Sequence, residues 1–189
     1  MRLFVAAEIG DALAGRAAEL IRELQTRTAA AAPHARVTWL TVDRLHITIR
    51  FIGEVDDARG AAIRAALESP LDVTPFDLTL AGAGAFPKGD RPRVLWAGIE
   101  RGGAELIEVE RDVTSRLATL GIPGEDRPYS PHLTLARVRD AAGLRSTVLF
   151  DGLEDRPIGT TRVDAITLFQ SRLSPNGPTY LPLLRTPCK

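Results

Sequence analysis

The chain has 189 residues, 44% hydrophobic and 25% charged, with Lys plus Arg and Asp plus Glu both totalling 24 and a formal net charge of zero. That is enough apolar material for one sizeable core or two small lobes. The balanced charge excludes a histone-like or tail-type nucleic-acid binder, yet leaves room for a local patch that holds one phosphate.

Residues 2–9, RLFVAAEI, read as a buried strand, and residues 11–31 carry Leu13, Ala17, Leu20, Ile21 and Leu24 at helical spacing. After Pro33 the segment VTWLTVDRLHITIRFIGEV alternates β-branched and polar residues and predicts one or two strands. Asp56 and Asp57 then open an Ala-rich helix to about Leu67. Strands are expected near 75–81 and 93–100. A helix is expected over 104–120, closed by Gly121 and Pro123. PYSPHLTLARVRD follows, then a short helix around 141–149 and strands near 157–162, 164–173 and 179–184. The last two flank the turn-rich Ser174-Pro175-Asn176-Gly177-Pro178 and predict a hairpin. There is no glycine fingerprint after the first strand, and the hairpin signals favour antiparallel sheets, so the fold class is α+β in one compact unit over residues 1–189.

The apolar run before Glu8 is too short for a signal-peptide core, and no segment approaches the ~18 apolar residues of a membrane span. A single cysteine, Cys188, sits beside the C-terminus and makes no internal disulfide. These features predict a cytoplasmic protein without membrane contact.

LHITIRFIGEVDDARGAAIRAAL and PHLTLARVRDAAGLRSTVLF echo each other: His-aliphatic-Thr-aliphatic, an acidic turn, then an Ala/Arg/Leu-rich stretch. The echo predicts two similar lobes facing each other. Two of the three histidines, His46 and His132, begin the two copies of the His-x-Thr-x tetrad. Strand alternation puts His46 and Thr48 on one side with Ile47, Ile49 and Phe51 on the other; likewise His132 and Thr134 oppose Leu133 and Leu135. If the polar faces pack inward, two imidazoles and two hydroxyls share a cleft. With an ordinary pKa near 6.5, one imidazole can hold a proton while the other lacks one. The hydroxyls add hydrogen bonds without negative charge, so the set suits acid–base cleavage of a phosphodiester. The residues themselves do not say which histidine is acid and which is base.

A lone histidine on a half-buried strand is usually structural; two tetrads that use two of three histidines are not explained that way. A zinc site would need a third protein ligand, and neither a His four residues on nor a Cys cluster is present. No metal and no cofactor are therefore expected. His34 reads as solvent-facing. Arg50 has the parity of the first cleft face, as a solvated surface arginine also would. Trp39, Phe86, Tyr129 and Phe169 are candidates for stacking a base, although core packing is the default for each.

The tetrads, with the opening RLFVAAEI and the closing LFQSRLSPNGPTYLPL, resemble the two-histidine (2H) phosphoesterases, and among them the RNA 2′,3′-cyclic phosphodiesterases called ThpR or LigT. The resemblance covers almost the whole chain. It implies a bilobal, pseudo-twofold α+β fold with both tetrads facing a central cleft, and metal-independent opening of a terminal RNA 2′,3′-cyclic phosphate to a 2′-phosphate. By the same resemblance His46 is the proton donor, His132 the acceptor, and Arg137, five residues after His132, reaches the phosphate, whose oxygens the Thr48 and Thr134 hydroxyls are chemically suited to hold. Strict alternation turns Arg137 away from the cleft, so that role requires a bulge, a strong twist or a long reach. The alternatives are 2′-5′ RNA joining, a small-molecule cyclic nucleotide phosphodiesterase, or an RNA-end binding module without turnover. The expected partner is RNA with a cyclic phosphate end, met by a monomer.

Overall fold

The computed structural model describes residues 1–175 and 177–189. The strands are β1 (Arg2–Glu8), β2 (Arg36–Trp39), β3 (His46–Glu54), β4 (Phe76–Phe86), β5 (Val94–Arg101), β6 (Leu133–Asp140), β7 (Pro157–Val163), β8 (Ala165–Arg172) and β9 (Thr179–Pro187). The helices are α1 (Gly10–Ala31), α2 (Asp57–Ala66), α3 (Gly103–Ala118) and the single turn α4 (Ser146–Leu149). Local signals account for most of these. Asp56 caps α2 by accepting the Arg59 amide at 2.7 Å, and α1 and α3 turn the Leu, Ile, Val and Ala positions of their stripes inward. The helix expected over 141–149 shrinks to its second half, because Ala142 and Gly143 take φ of 40° and 88° and break the helical path. The predicted hairpin forms between β8 and β9; its Asn176 lies outside the described residues.

All ladder pairings are antiparallel and fall into two sheets, ordered β3-β1-β8-β9 and β2-β6-β5-β4-β7. Each sheet contains one tetrad strand, β3 or β6. The pseudo-twofold relation is visible in the orders β3-β1-β8-β9 and β6-β5-β4-β7: in each, a strand (β1 or β5) is followed by a long helix (α1 or α3) and pairs with the tetrad strand. The lobes are therefore not successive halves of the chain. VTWLTVDRLHITIRFIGEV gives two strands, and β2 leaves its sequence neighbour β3 to pair with β6 in the other sheet. The helices also cross over. α1 follows β1 but packs on β7, and α3 follows β5 but packs on β3. One continuous core results, with Leu3, Val5, Ile47 and Leu168 from one sheet and Leu78, Leu95, Leu133 and Leu135 from the other. A second, smaller cluster of Phe4, Ala6 and Phe169, with Tyr180 packed against it, lies on the opposite face of the first sheet.

Two register shifts position the site. Thr48 pairs with Ala6 and Arg50 with Val5, so Ile49 is an extra residue on β3. Thr134 pairs with Trp96 and Ala136 with Leu95, so Leu135 is an extra residue on β6. Each is a β-bulge at the fourth residue of its tetrad, and each inverts the alternation beyond it.

Candidate active site

The bulges decide which side chains reach the cleft. Directly paired residues share a face. Phe4, Ala6 and Glu8 pair with Phe51, Thr48 and His46, so those three residues of β3 lie on one face. This corrects the alternation argument twice. Phe51, expected in the core, is on the cleft face and 44% exposed. Arg50, expected on the cleft face, is turned inward beside Val5 and is 4% exposed. On β6 the effect is the reverse and favourable: Trp96 pairs with Thr134 and Val94 with Arg137, so Thr134 and Arg137 share a face. The bulge that Arg137 required is present at Leu135. Phe51 and Arg137 occupy the same position, five residues beyond their histidines, in the two sheets.

His46, Thr48 and Arg137 line a cavity of about 410 Å³ together with Phe4, Phe51 and Tyr180. A second cavity of about 130 Å³ joins it at His46, Thr48, Arg137 and Tyr180, and adds Thr134 and Trp39. His132 is not among the lining residues of either; it stands two positions before Thr134, its ring edge-on to Phe86 at 5.3 Å. Arg137 is the element common to both halves, because its positive charge acts on both His46 and His132. Among the described residues no carboxylate pairs with this guanidinium. A cation in that position is placed to receive an anion.

The two imidazoles are held alike. His46 Nδ1 lies 2.8 Å from the Arg44 carbonyl oxygen, and His132 Nδ1 lies 2.7 Å from that of Ser130. A carbonyl only accepts, so Nδ1 donates in both and Nε2 is the nitrogen left for chemistry: a base when the ring is neutral, an acid when it is charged. His46 is further packed by Phe4 and Tyr180, with ring centroids at 5.0 and 5.1 Å. Burial, and then repulsion from Arg137, push His46 down to about 4, against the opposing pull of the Arg44 carbonyl. Burial and then Arg137 also hold His132 below its ordinary value. A bound anion reverses the Arg137 contribution and favours imidazolium.

The sequence did not single out Tyr180, Pro178, Arg2 or Arg44, all of which line the cavities; each is brought there by strand pairing over long sequence separations. Of the stacking candidates, Phe169 is buried in the smaller cluster, Trp39 lines the smaller cavity, Phe86 is 36% exposed beside His132, and the Tyr129 hydroxyl donates to the Thr48 carbonyl at 2.9 Å. His34 is exposed, as expected. Among the described residues no three of His, Cys, Asp and Glu gather in a way that could hold a metal ion, and no helix is long and apolar enough to cross a membrane.

Comparison with known proteins agrees with this fold. An RNA 2′,3′-cyclic phosphodiesterase of Aeropyrum pernix is 39% identical over 150 residues, covering 78% of this chain and 85% of the relative. One of Archaeoglobus fulgidus is 32% identical over 180 residues, covering 95% and 96%. Among solved structures, TT0787 of Thermus thermophilus superposes with a TM-score of 0.79 at 26% identity, covering 99% of this chain and 97% of that one. The E. coli LigT complex with 3′-AMP gives 0.68 at 26% identity, with the same coverage. The model of the 2′-5′ RNA ligase superfamily matches residues 11–174, and with paired tetrads facing one cleft the chain belongs to that superfamily, the two-histidine phosphoesterases.

Proposed function

We propose that this chain is an RNA 2′,3′-cyclic phosphodiesterase that hydrolyses a terminal cyclic phosphate to a 2′-phosphomonoester, with His46 and His132 as acid and base. The observation that carries the reading is the matched pair of tetrads whose histidines both donate from Nδ1 and both feel Arg137. The relatives' shared name supports the same activity. Arg137 pairs with a non-bridging phosphate oxygen, and the Thr48 and Thr134 hydroxyls donate to the phosphate as charge develops. Neutral His132 takes a proton from water through Nε2 as the water oxygen bonds to phosphorus. Charged His46 gives its Nε2 proton to O3′ as the P–O3′ bond breaks, leaving a 3′-hydroxyl and a 2′-phosphate. The substrate's negative charge offsets the Arg137 repulsion and so favours the charged donor, while burial continues to oppose it. No metal takes part in these steps.

The same reading is of a cytoplasmic monomer with RNA ends as its partner. A second reading follows from the superfamily's ligase name: with an RNA 5′-hydroxyl in place of water, the same acid and base join ends 2′-5′. One assay tests both. An RNA ending in a 2′,3′-cyclic phosphate is incubated with the protein in EDTA, with and without a 5′-hydroxyl RNA, and the product phosphate is located. A 2′-phosphate end is expected; an unchanged cyclic end removes the proposal.

A further inference from the structure

Arg50 is the one charged side chain buried among the described residues, and the cleft chemistry makes no use of it. The bulge at Ile49 turns it away from the cleft, toward the segment that joins α3 to β6. There its Nη2 donates to the Pro123 carbonyl and its Nη1 lies 3.5 Å from a Glu125 carboxylate oxygen. Two residues earlier on the same strand, the Thr48 carbonyl accepts the Tyr129 hydroxyl at 2.9 Å. The first tetrad strand therefore grips the 123–131 segment at two places. That segment ends in His132, and among the described residues none of 123–131 makes a backbone–backbone hydrogen bond. Its last turn matters most: Ser130, next to Tyr129, supplies the carbonyl that orients the His132 ring.

We propose that Arg50 and Tyr129 are positioning residues that clamp the loop bearing His132 onto the first tetrad strand, so that the two imidazoles are set relative to each other by direct ties rather than by the sheets alone. The inference rests on the reading of the two histidines as acid and base. Neither residue touches the phosphate. Their effect passes through the His132 backbone, and small displacements of a reacting group are costly: a shift of about 1 Å can lower a rate by roughly 100-fold.

The test is Tyr129→Phe, which deletes only the hydroxyl, with Arg50→Lys as a second variant that keeps a buried cation but loses the planar fork. Each is compared with wild type for kcat and KM on a 2′,3′-cyclic phosphate RNA, for thermal melting, and for the titration of the histidine ring protons by NMR. The expected result for both is a kcat about 10-fold lower with KM within about twofold, and a His132 titration midpoint that rises toward the ordinary value as the loosened loop admits water. A merely structural role would lower the melting temperature and leave the folded fraction with wild-type kcat and an unmoved His132. That outcome overturns the proposal, as does a moved His132 with unchanged kcat, or a lowered kcat with His132 unmoved. If wild type leaves the cyclic phosphate intact, the functional reading fails, and the clamp is then judged on the His132 titration alone.

Discussion

Arg137→Met isolates the contribution of the cleft cation. Met keeps an unbranched apolar stem and removes the charge. Arg137 is exposed and unpaired with any carboxylate among the described residues, so the fold loses little and melting should be nearly unchanged. Hydrogen bonds to charged groups contribute about 1.5–3 kcal/mol, and about 1.4 kcal/mol is a factor of ten. Losing the phosphate contact should therefore lower kcat/KM by roughly 10- to 150-fold. A second effect has a definite sign. Arg137 helps to hold both histidines below their ordinary value, so its removal raises both, and the bell-shaped kcat/KM profile moves to higher pH. Burial, the larger cause for each ring, remains, so the optimum stays acid of the free imidazole value. The assay is initial rate against pH from about 4.5 to 9 on a cyclic-phosphate RNA. A fall of less than about threefold, or a profile that does not move, refutes the placement of Arg137 between substrate and imidazoles.

His46→Ala and His132→Ala should each lower turnover by roughly 10²–10⁴-fold, and the double variant should be scarcely worse, because removing either end disables the concerted path; additive losses in single-turnover rates would contradict this. Thr48→Val and Thr134→Val keep β-branched shape and should lose rate while folding normally, so near-wild-type kinetics in both would remove the hydroxyls from the mechanism. Wild-type rates should survive EDTA, and loss restored by a divalent ion would end the two-histidine account. Acid should weaken the fold through His46, whose value drops from 6.5 to about 4 on folding. Between those values the unfolded chain binds the extra proton, so stability falls as pH falls through that window, by on the order of 3 kcal/mol. His46→Gln should flatten that part of the urea-melt pH dependence, and an unchanged slope would show that His46 is not the group titrating.

The sequence carried the candidate acid–base pair and the order of elements because those signals are local. His46 and His132 stand out as two of three histidines in matching tetrads, and the periodicities of α1, α3 and the β8–β9 hairpin are set by adjacent residues. What it hid was the consequence of an extra residue at the fourth position of each tetrad. Alternation is a period-two rule, and a bulge reverses it without any mark in composition, which is why Phe51 and Arg50 exchange faces while Arg137 gains the cleft. The spacing of five from His132 to Arg137 was the available cue, since a charged residue needed in the cleft at that distance contradicts an unbroken ladder. The lining role of Tyr180 and the pairing of β2 with β6 were out of reach for a different reason: both depend on partners far away in the chain.

The interleaving of the two sheets also bears on how the molecule is made. β1 leaves the ribosome before the other strands of its sheet, yet it is central there, and Phe4 pairs with Phe169. The strand beyond, β9, brings Tyr180 against His46 only once it has itself been synthesised. A nascent or prematurely terminated chain thus holds both tetrads but lacks one wall of the cleft. The cleft is complete only with β9, so fragments released by stalled translation carry both histidines without the wall that Tyr180 supplies.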